Sequence, residues 1–445
     1  MFNQTTAYQP QASQMFITPS MSICQSDYPL DWYQPEFIPY AEEYLALPDR
    51  KLTTILKWMT PYMQQAFKHF DNQLLLLAHY YMGGDIVRLV EQFQGQIGDS
   101  YQLALMAANN PQKSVIIESA VHFMAESISI LAQPHQQVFI TNPKSGCTME
   151  MMAKDFMVEP AFEDLNARFG AENILPVCYM NTSGRLKAMT GAQGGAVCTS
   201  SNVKQIFQWA RAQNKKILFI PDQHMGENVA YWLGIKNIAY WPGGSAGAQY
   251  SLANQNAATL KQFDEAELIL FSSFCAVHTH YQADMCEYWH NQGYVTIVHP
   301  ECRNEVIRSA RFSGSTAFIW DYVTQDTAGT KKYAIGTENH MVENLKQHCQ
   351  ALGISVVNLA EAPVKAGSVG CGCATMSRND PPHLVALVDL LRQGKPMLYN
   401  EVKAGDMVNE FTGLRQRLEP KDQVYLIENA KKALQMMINI TEQTR

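Results

Sequence analysis

Short apolar runs alternate with helical patterns along the chain from Gln73 onward, and this alternation restricts the fold more than any other feature. The runs are LLLLAHYY, SVIIESAVHF, QVFITNP, ILPVCYMN, GAVCTSSN, KILFIPDQH, LILFSSFCAVH, YVTIVHPE, FIWDYV and SVVNLAEA. Near-continuous apolarity ending in polar or glycine-bearing turns marks strands buried on both faces, which predicts parallel sheets covered by helices. These ten candidate strands exceed one comfortable doubly wound sheet, so several α/β units are expected.

Three groups of runs begin alike. LLLLAHYYMGGDI, ILPVCYMNTSGRL and VTIVHPECRNEVI are each an apolar strand that breaks into hydrogen-bonding side chains before a helix. The side chains are His79 and Tyr81, Tyr179 and Asn181, and His299 and Glu301. Ligands of α/β sheets bind at the carboxyl ends of strands, so three such ends can face one site. The spacing is a weak internal repeat of roughly a hundred residues. A single histidine at a strand end is more often structural, but the same placement three times points to function.

A chain of 445 residues, 47% hydrophobic and 17% charged, is long enough for two to four units with their own cores. The net charge of -7 and the dispersed basic residues argue against nucleic acid or anionic membrane as a partner and favour a small molecule. No signal peptide or long apolar run is evident, which together with scattered cysteines predicts a reducing cytoplasm. Residues 1 to about 30 read as an extended or loosely packed arm, and LTTILKWMTPYMQQAFKHF as a helical lead-in interrupted at Pro61.

Three of the ten cysteines follow the grouping of the strands. Cys147 comes after the last strand of the first group, Cys275 ends the second, and Cys373 ends the third. Cys373 stands one residue from Cys371 in the glycine-rich AGSVGCGCATMSRN. A disulfide between such neighbours is strained, and zinc lacks a second pair, since His383 stands alone beyond Pro381 and Pro382. Two explanations stand for the grouped thiols. Each is a small buried side chain, or the three converge on a four-iron cluster whose open iron acts as a Lewis acid. Cys178, Cys198 and Cys302 are assigned to packing.

The segments AHYY, GDSYQLA, AVHFMAES, SGCTMEMM, YMNTSGRLKA, VCTSSN, FIPDQHMGENVA, FCAVH, VHPE, SGSTAFI, GTENHM and CATM run in this order from about Ala78 to Asn379. Taken together they resemble the quinolinate synthase family, with VHFMAE and PDQHMG the most specific. The resemblance implies three similar three-layer αβα domains related by pseudo-threefold symmetry around a central cavity, with a [4Fe-4S] cluster at its base. It implies a transferase of NAD biosynthesis that condenses iminoaspartate with dihydroxyacetone phosphate, releasing phosphate and water. An L-aspartate oxidase or dehydrogenase would supply the iminoaspartate. Cys147, Cys275 and Cys373 match the cluster ligands, and alignment on Met376 and Asn379 makes Cys371 a neighbour of the third. His79, Ser100, Tyr179, Asn181, Ser200, Ser315 and Thr316 match substrate-binding positions. Tyr81, Glu301 and His299 match the catalytic ones, with Tyr81 and Glu301 suited to proton transfer because burial and nearby charge can poise them. Ser315 and Thr316 equally suit an ordinary helix cap.

The resemblance divides the chain into an extension over 1–70, a first domain over 71–155 completed by C-terminal helices from 390–445, a second over 156–278 and a third over 279–389. WPGG at 241–244 stands about thirty residues from CAVH, where the family keeps the two together, which marks an insertion near 243–274 in the second domain or a displaced second ligand. Two rival functions remain: a different metal-dependent lyase on the same scaffold, and a non-catalytic iron-sulfur sensor.

Overall fold

The computed structural model describes residues 27–364, 372–409 and 415–443. Most of the expected arm and Cys371 lie outside them. The described chain is α/β, with three parallel sheets flanked by helices. The first sheet comprises β1 (Leu74–His79), β2 (Gln96–Gly98), β3 (Val115–Ser119) and β4 (Gln137–Ile140), in the order β2-β1-β3-β4. The second comprises β5 (Ile174–Tyr179), β6 (Ala196–Cys198), β7 (Lys216–Ile220), β8 (Ile238–Pro242) and β9 (Leu268–Ser272), in the order β6-β5-β7-β9-β8. The third comprises β10 (Val295–Val298), β11 (Phe312–Ser313), β12 (Lys332–Gly336) and β13 (Ser355–Asn358), in the order β11-β10-β12-β13.

One connectivity therefore occurs three times. In each sheet the first strand lies between the second and the third, so the chain turns one way and then the other around it. The carboxyl end of that first strand is a topological switch point, where two connections diverge and leave a crevice. β1 and β5 are buried along their whole length, as the unbroken apolar runs require of strands covered on both faces.

Nine of the ten apolar runs are strands. FIWDYV is not: it lies in the helix Thr316–Thr324, which buries Thr316, Ile319 and Val323 at helical spacing. Ser315 starts that helix by accepting a hydrogen bond from the Phe318 amide, so a six-residue run with five apolar members that suits a strand is drawn into a capped helix. Pro61 does not interrupt the lead-in, because the helix Leu52–Phe70 runs straight through it. Pro61 and Lys57 both face outward, so the Lys57 carbonyl that loses its partner stays in water.

The second sheet has one strand more than the first, and the segment read as an insertion near 243–274 runs from the end of β8 through β9. β9 takes the place that β4 has in the first sheet, and β8 is an extra edge strand beside it. The helix Gly244–Gln249 packs on the helix Asp155–Phe169, and Ala257–Glu265 packs on β8. Cys275 thus follows β9 as Cys147 follows β4.

The C-terminal region packs on elements of the first two sheets. Residues 400–402 bond to the edge of β4, through Ile140 N–H to the Asn400 carbonyl and Val402 N–H to the Val138 carbonyl. The helix Pro420–Gln443 lies mainly against the helices Gly184–Ala192 and Val203–Ala212 and against β6, and it also touches the helix His122–Leu131 that follows β3. Gly191 permits this approach, since a Cβ there would stand 1.9 Å from the Asn429 carbonyl oxygen. Among the described residues, no helix is long and apolar enough to cross a membrane.

One core residue conflicts with its surroundings. Glu118 on β3 is fully buried, neither carboxylate oxygen has a hydrogen-bond partner among the described residues, and burial pushes its carboxyl up to about 8. Alternation along β3 puts it on the face of Ile116, which packs with Leu103 and Ile128. The unfolded chain ionises it near pH 4.5, so between there and pH 8 the folded form binds more protons and stability falls as pH rises. Glu118→Met is expected to stabilise the fold by on the order of 3 kcal/mol at pH 7, and by little at pH 5. Denaturant midpoints at the two pH values test this, and a gain independent of pH would contradict it.

Candidate active site

The strand ends of the three sheets meet in one cavity. His79 and Tyr81 reach it from the end of β1, Tyr179 and Asn181 from β5, and His299 and Glu301 from β10. The turns after the second strands add Ser100, Ser200 and Thr316. The segments after β4, β9 and β13 add Cys147, Cys275 and Cys373. Of the expected site residues only Ser315 does not line the cavity, its hydroxyl serving the helix cap instead.

Glu301 is the centre of its polar network. It is buried; its Oε1 accepts from the Tyr179 hydroxyl at 2.6 Å, and its Oε2 lies 2.7 Å from His278 Nδ1. Burial by itself would raise its carboxyl. His299, His278 and the two hydrogen bonds outweigh that and hold it well below the usual carboxylate range. The neighbouring Asp222 goes the other way, raised by its own burial and by the charge of Glu301. The pair thus keeps its charge on Glu301, the member with histidines around it.

The network continues away from Glu301. His278 Nε2 lies 3.1 Å from the Thr337 hydroxyl, which lies 3.1 Å from the Tyr81 hydroxyl; Thr316 donates to that phenol at 3.4 Å. Polar atoms from all three sheets therefore form one chain from Tyr179 through Glu301, His278 and Thr337 to Tyr81. Burial, and secondarily the charge of Glu301, raises both tyrosines.

His79 and His299 are held alike. The Tyr81 amide donates to His79 Nδ1 at 3.2 Å and the Glu301 amide to His299 Nδ1 at 3.4 Å. Burial lowers each imidazole to about 3, so both are neutral at physiological pH. With Nδ1 accepting, each carries its proton on Nε2 and is a hydrogen-bond donor there. Elsewhere in the cavity, Asp99 caps the helix Ser100–Ala108 and accepts from the Ser201 hydroxyl, which ties the turn bearing Ser100 to the one bearing Ser200. Hydroxyls beside a helix amino terminus suit an anion such as phosphate.

The cysteines separate by exposure. Cys178, Cys198, Cys286, Cys302 and Cys349 are buried, whereas Cys147, Cys275 and Cys373 are partly exposed. The latter three are also the cysteines that line the cavity among the described residues. Burial raises each thiol, and the charge of Glu301 raises Cys275 further. Cys275 Sγ, His278 Nδ1 and a Glu301 oxygen also lie within 4.8 Å of one another.

The family model described as quinolinate synthetase A protein matches residues 64–408. The chain belongs to this family. It is 35% identical over 377 residues to a quinolinate synthase of Geobacillus kaustophilus, covering 84% of this chain and 91% of the relative. It is likewise 35% identical over 382 residues to one of Acidobacterium capsulatum, covering 83% and 92%. A quinolinate synthase of Bacillus pumilus is 33% identical over 353 residues, covering 78% and 89%.

The sequence reading gave no role to His278, Asp99 or Thr337, although each sits within or beside a segment that marks the family. His278 had a visible signal, as the histidine that closes FCAVH three residues beyond Cys275. Thr337 follows β12 in GTENHM and had none of its own.

Proposed function

We propose that the protein is a quinolinate synthase, a cytoplasmic transferase of NAD biosynthesis that condenses iminoaspartate with dihydroxyacetone phosphate and releases phosphate and water. The observation that carries the proposal is the recurrence of one partly exposed thiol after the last strand, in chain order, of each sheet, all three in the cavity that holds Glu301. Cys147, Cys275 and Cys373 would hold a [4Fe-4S] cluster, with the three similar domains set about a pseudo-threefold axis. Three sulfur ligands fit such a cluster with one iron left open, which supplies Lewis acidity toward a substrate oxygen when bound.

The remaining chemistry falls to side chains. Ser100, Ser200 and Thr316 bind the phosphate of dihydroxyacetone phosphate. The Nε2 donors of neutral His79 and His299 orient carboxylate and carbonyl oxygens, and Tyr179 and Asn181 complete the cradle. Glu301 is the base that takes protons during enolisation and dehydration, with His278 and Thr337 leading from it to Tyr81. Burial keeps water from competing for these hydrogen bonds. An L-aspartate oxidase or dehydrogenase would supply the unstable imine.

A second reading has its own observation, the trio Cys275, His278 and Glu301, whose ligand atoms are close enough to hold one divalent ion. This would make the protein a mononuclear metal lyase. Anaerobic purification followed by metal and sulfide analysis separates the two. About four irons and four sulfides per chain support the cluster, while one zinc or iron without sulfide supports the trio. Quinolinate formation from the two substrates then distinguishes an enzyme from a sensor.

A further inference from the structure

Residues 27–63 precede the segment matched by the family model, yet they are tied to the part of the chain that presents Cys373. The helix Pro381–Arg392, which follows this cysteine, packs against the helices Ile38–Leu45 and Leu52–Phe70 of the extension. At its amino end the Tyr33 hydroxyl donates to Asp380 Oδ2 at 2.5 Å, and the other oxygen of Asp380 caps the helix by accepting from the His383 amide at 2.9 Å. The Tyr33 ring stacks on His383 with centroids 4.6 Å apart, and all three residues are buried.

These bonds lead directly to the thiol segments. Tyr28 donates to the Ser377 carbonyl at 3.0 Å, and Ser377 returns to the Cys373 carbonyl through its amide at 3.0 Å and its hydroxyl at 2.9 Å. Asn379 accepts from the Asn142 amide at 3.2 Å, at the start of the loop that ends in Cys147. The extension meets that loop too, where Lys144 donates to the Trp32 carbonyl at 3.4 Å. Arg50, Leu52 and Ile55 form part of the lining of a cavity of about 320 Å³ that Ser377, Asn379 and Asp380 also line. Displacing the extension would therefore open the far side of the Cys373 segment to solvent.

We propose that the amino-terminal extension is a brace for cluster retention, in which Tyr33, acting through Asp380, holds the Cys373 segment closed and sets how slowly iron is lost to chelators. The proposal rests on the assignment of the three cysteines as cluster ligands. Tyr33 is a positioning residue. Opening the segment breaks its charge-assisted hydrogen bond and its ring stack together, whereas Phe at this position keeps only the stack.

The test uses full-length holoprotein prepared without oxygen, with iron release to a ferrous chelator followed by loss of visible absorbance. Tyr33→Phe is expected to release iron roughly tenfold faster than the wild type. The control is Tyr40→Phe, which removes a 2.7 Å bond to Asp389 farther along the same helix and leaves the Cys373 segment untouched. It is expected to keep the wild-type release rate while lowering the unfolding midpoint about as much as Tyr33→Phe does. Unchanged release in Tyr33→Phe overturns the brace, and so does equal acceleration in both variants, which would reflect general loss of stability. A wild-type protein that holds no cluster overturns the ligand assignment and the brace with it.

Discussion

Cys147→Ala, Cys275→Ala and Cys373→Ala are each expected to come through anaerobic purification without a stable cluster, while Cys371→Ala keeps about four irons per chain. The three thiols are partly exposed and line the cavity, while the five remaining described cysteines are fully buried. Burial also raises each of the three thiols. Without a cation they stay protonated; with iron between them the cost of their charge is offset by coordination. Removing any one leaves two ligands on a cluster that already has an open iron. Iron content should fall by most of its value and quinolinate formation by more than about 100-fold. Cys371 is set apart from the ligands by the alignment of Met376 and Asn379 alone. Iron lost in Cys371→Ala and kept in Cys373→Ala would exchange the two assignments, and iron kept in Cys147→Ala would end the three-ligand proposal.

What the sequence made legible was whatever repeats. A strand buried on both faces leaves a long apolar run, and β1, β5 and β10 each end in the pair of polar side chains that reaches the cavity. β2 reads QIG and β11 reads FS, with one large apolar residue each, so neither leaves such a run and both are missed even though the turns after them carry Ser100 and Thr316. β12 reads KYAIG, with too few apolar residues in a row to stand out, and Thr337 was lost with it. FIWDYV shows the converse failure. A short apolar run fits both periods, and the cap at Ser315 decided it.

Contacts between distant segments were illegible for a different reason. His278 and Glu301 are 2.7 Å apart because the segment after β9 of one sheet meets the end of β10 in the next, and no spacing encodes that meeting. The same holds for Tyr33 and Asp380, which are separated by 347 positions. Their partnership exists only once the extension has packed on its helix. Residue types were therefore a sound guide to the chemistry, while the pairing of those residues came from tertiary structure.

Glu301→Gln is expected to lower the rate of quinolinate formation by roughly 10²–10⁴ while the purified protein keeps its iron and its colour. The substitution preserves shape, and an amide oxygen can still accept from the Tyr179 hydroxyl that now lies 2.6 Å from the carboxylate. The negative charge is lost. His278 and His299 then face a neutral amide, and its NH₂ group can donate but cannot take a proton from substrate. Substrate affinity should change much less than turnover, because the Nε2 donors of His79 and His299 and the hydroxyls of Ser100, Ser200 and Thr316 remain. The same variant separates the two metal readings. Glu301 is a ligand in the trio with Cys275 and His278 but not in the three-cysteine cluster, so loss of metal with loss of activity would favour the single ion. Full activity in Glu301→Gln would remove Glu301 from proton transfer altogether, and the base would then have to be sought at the other end of the chain, at Tyr81.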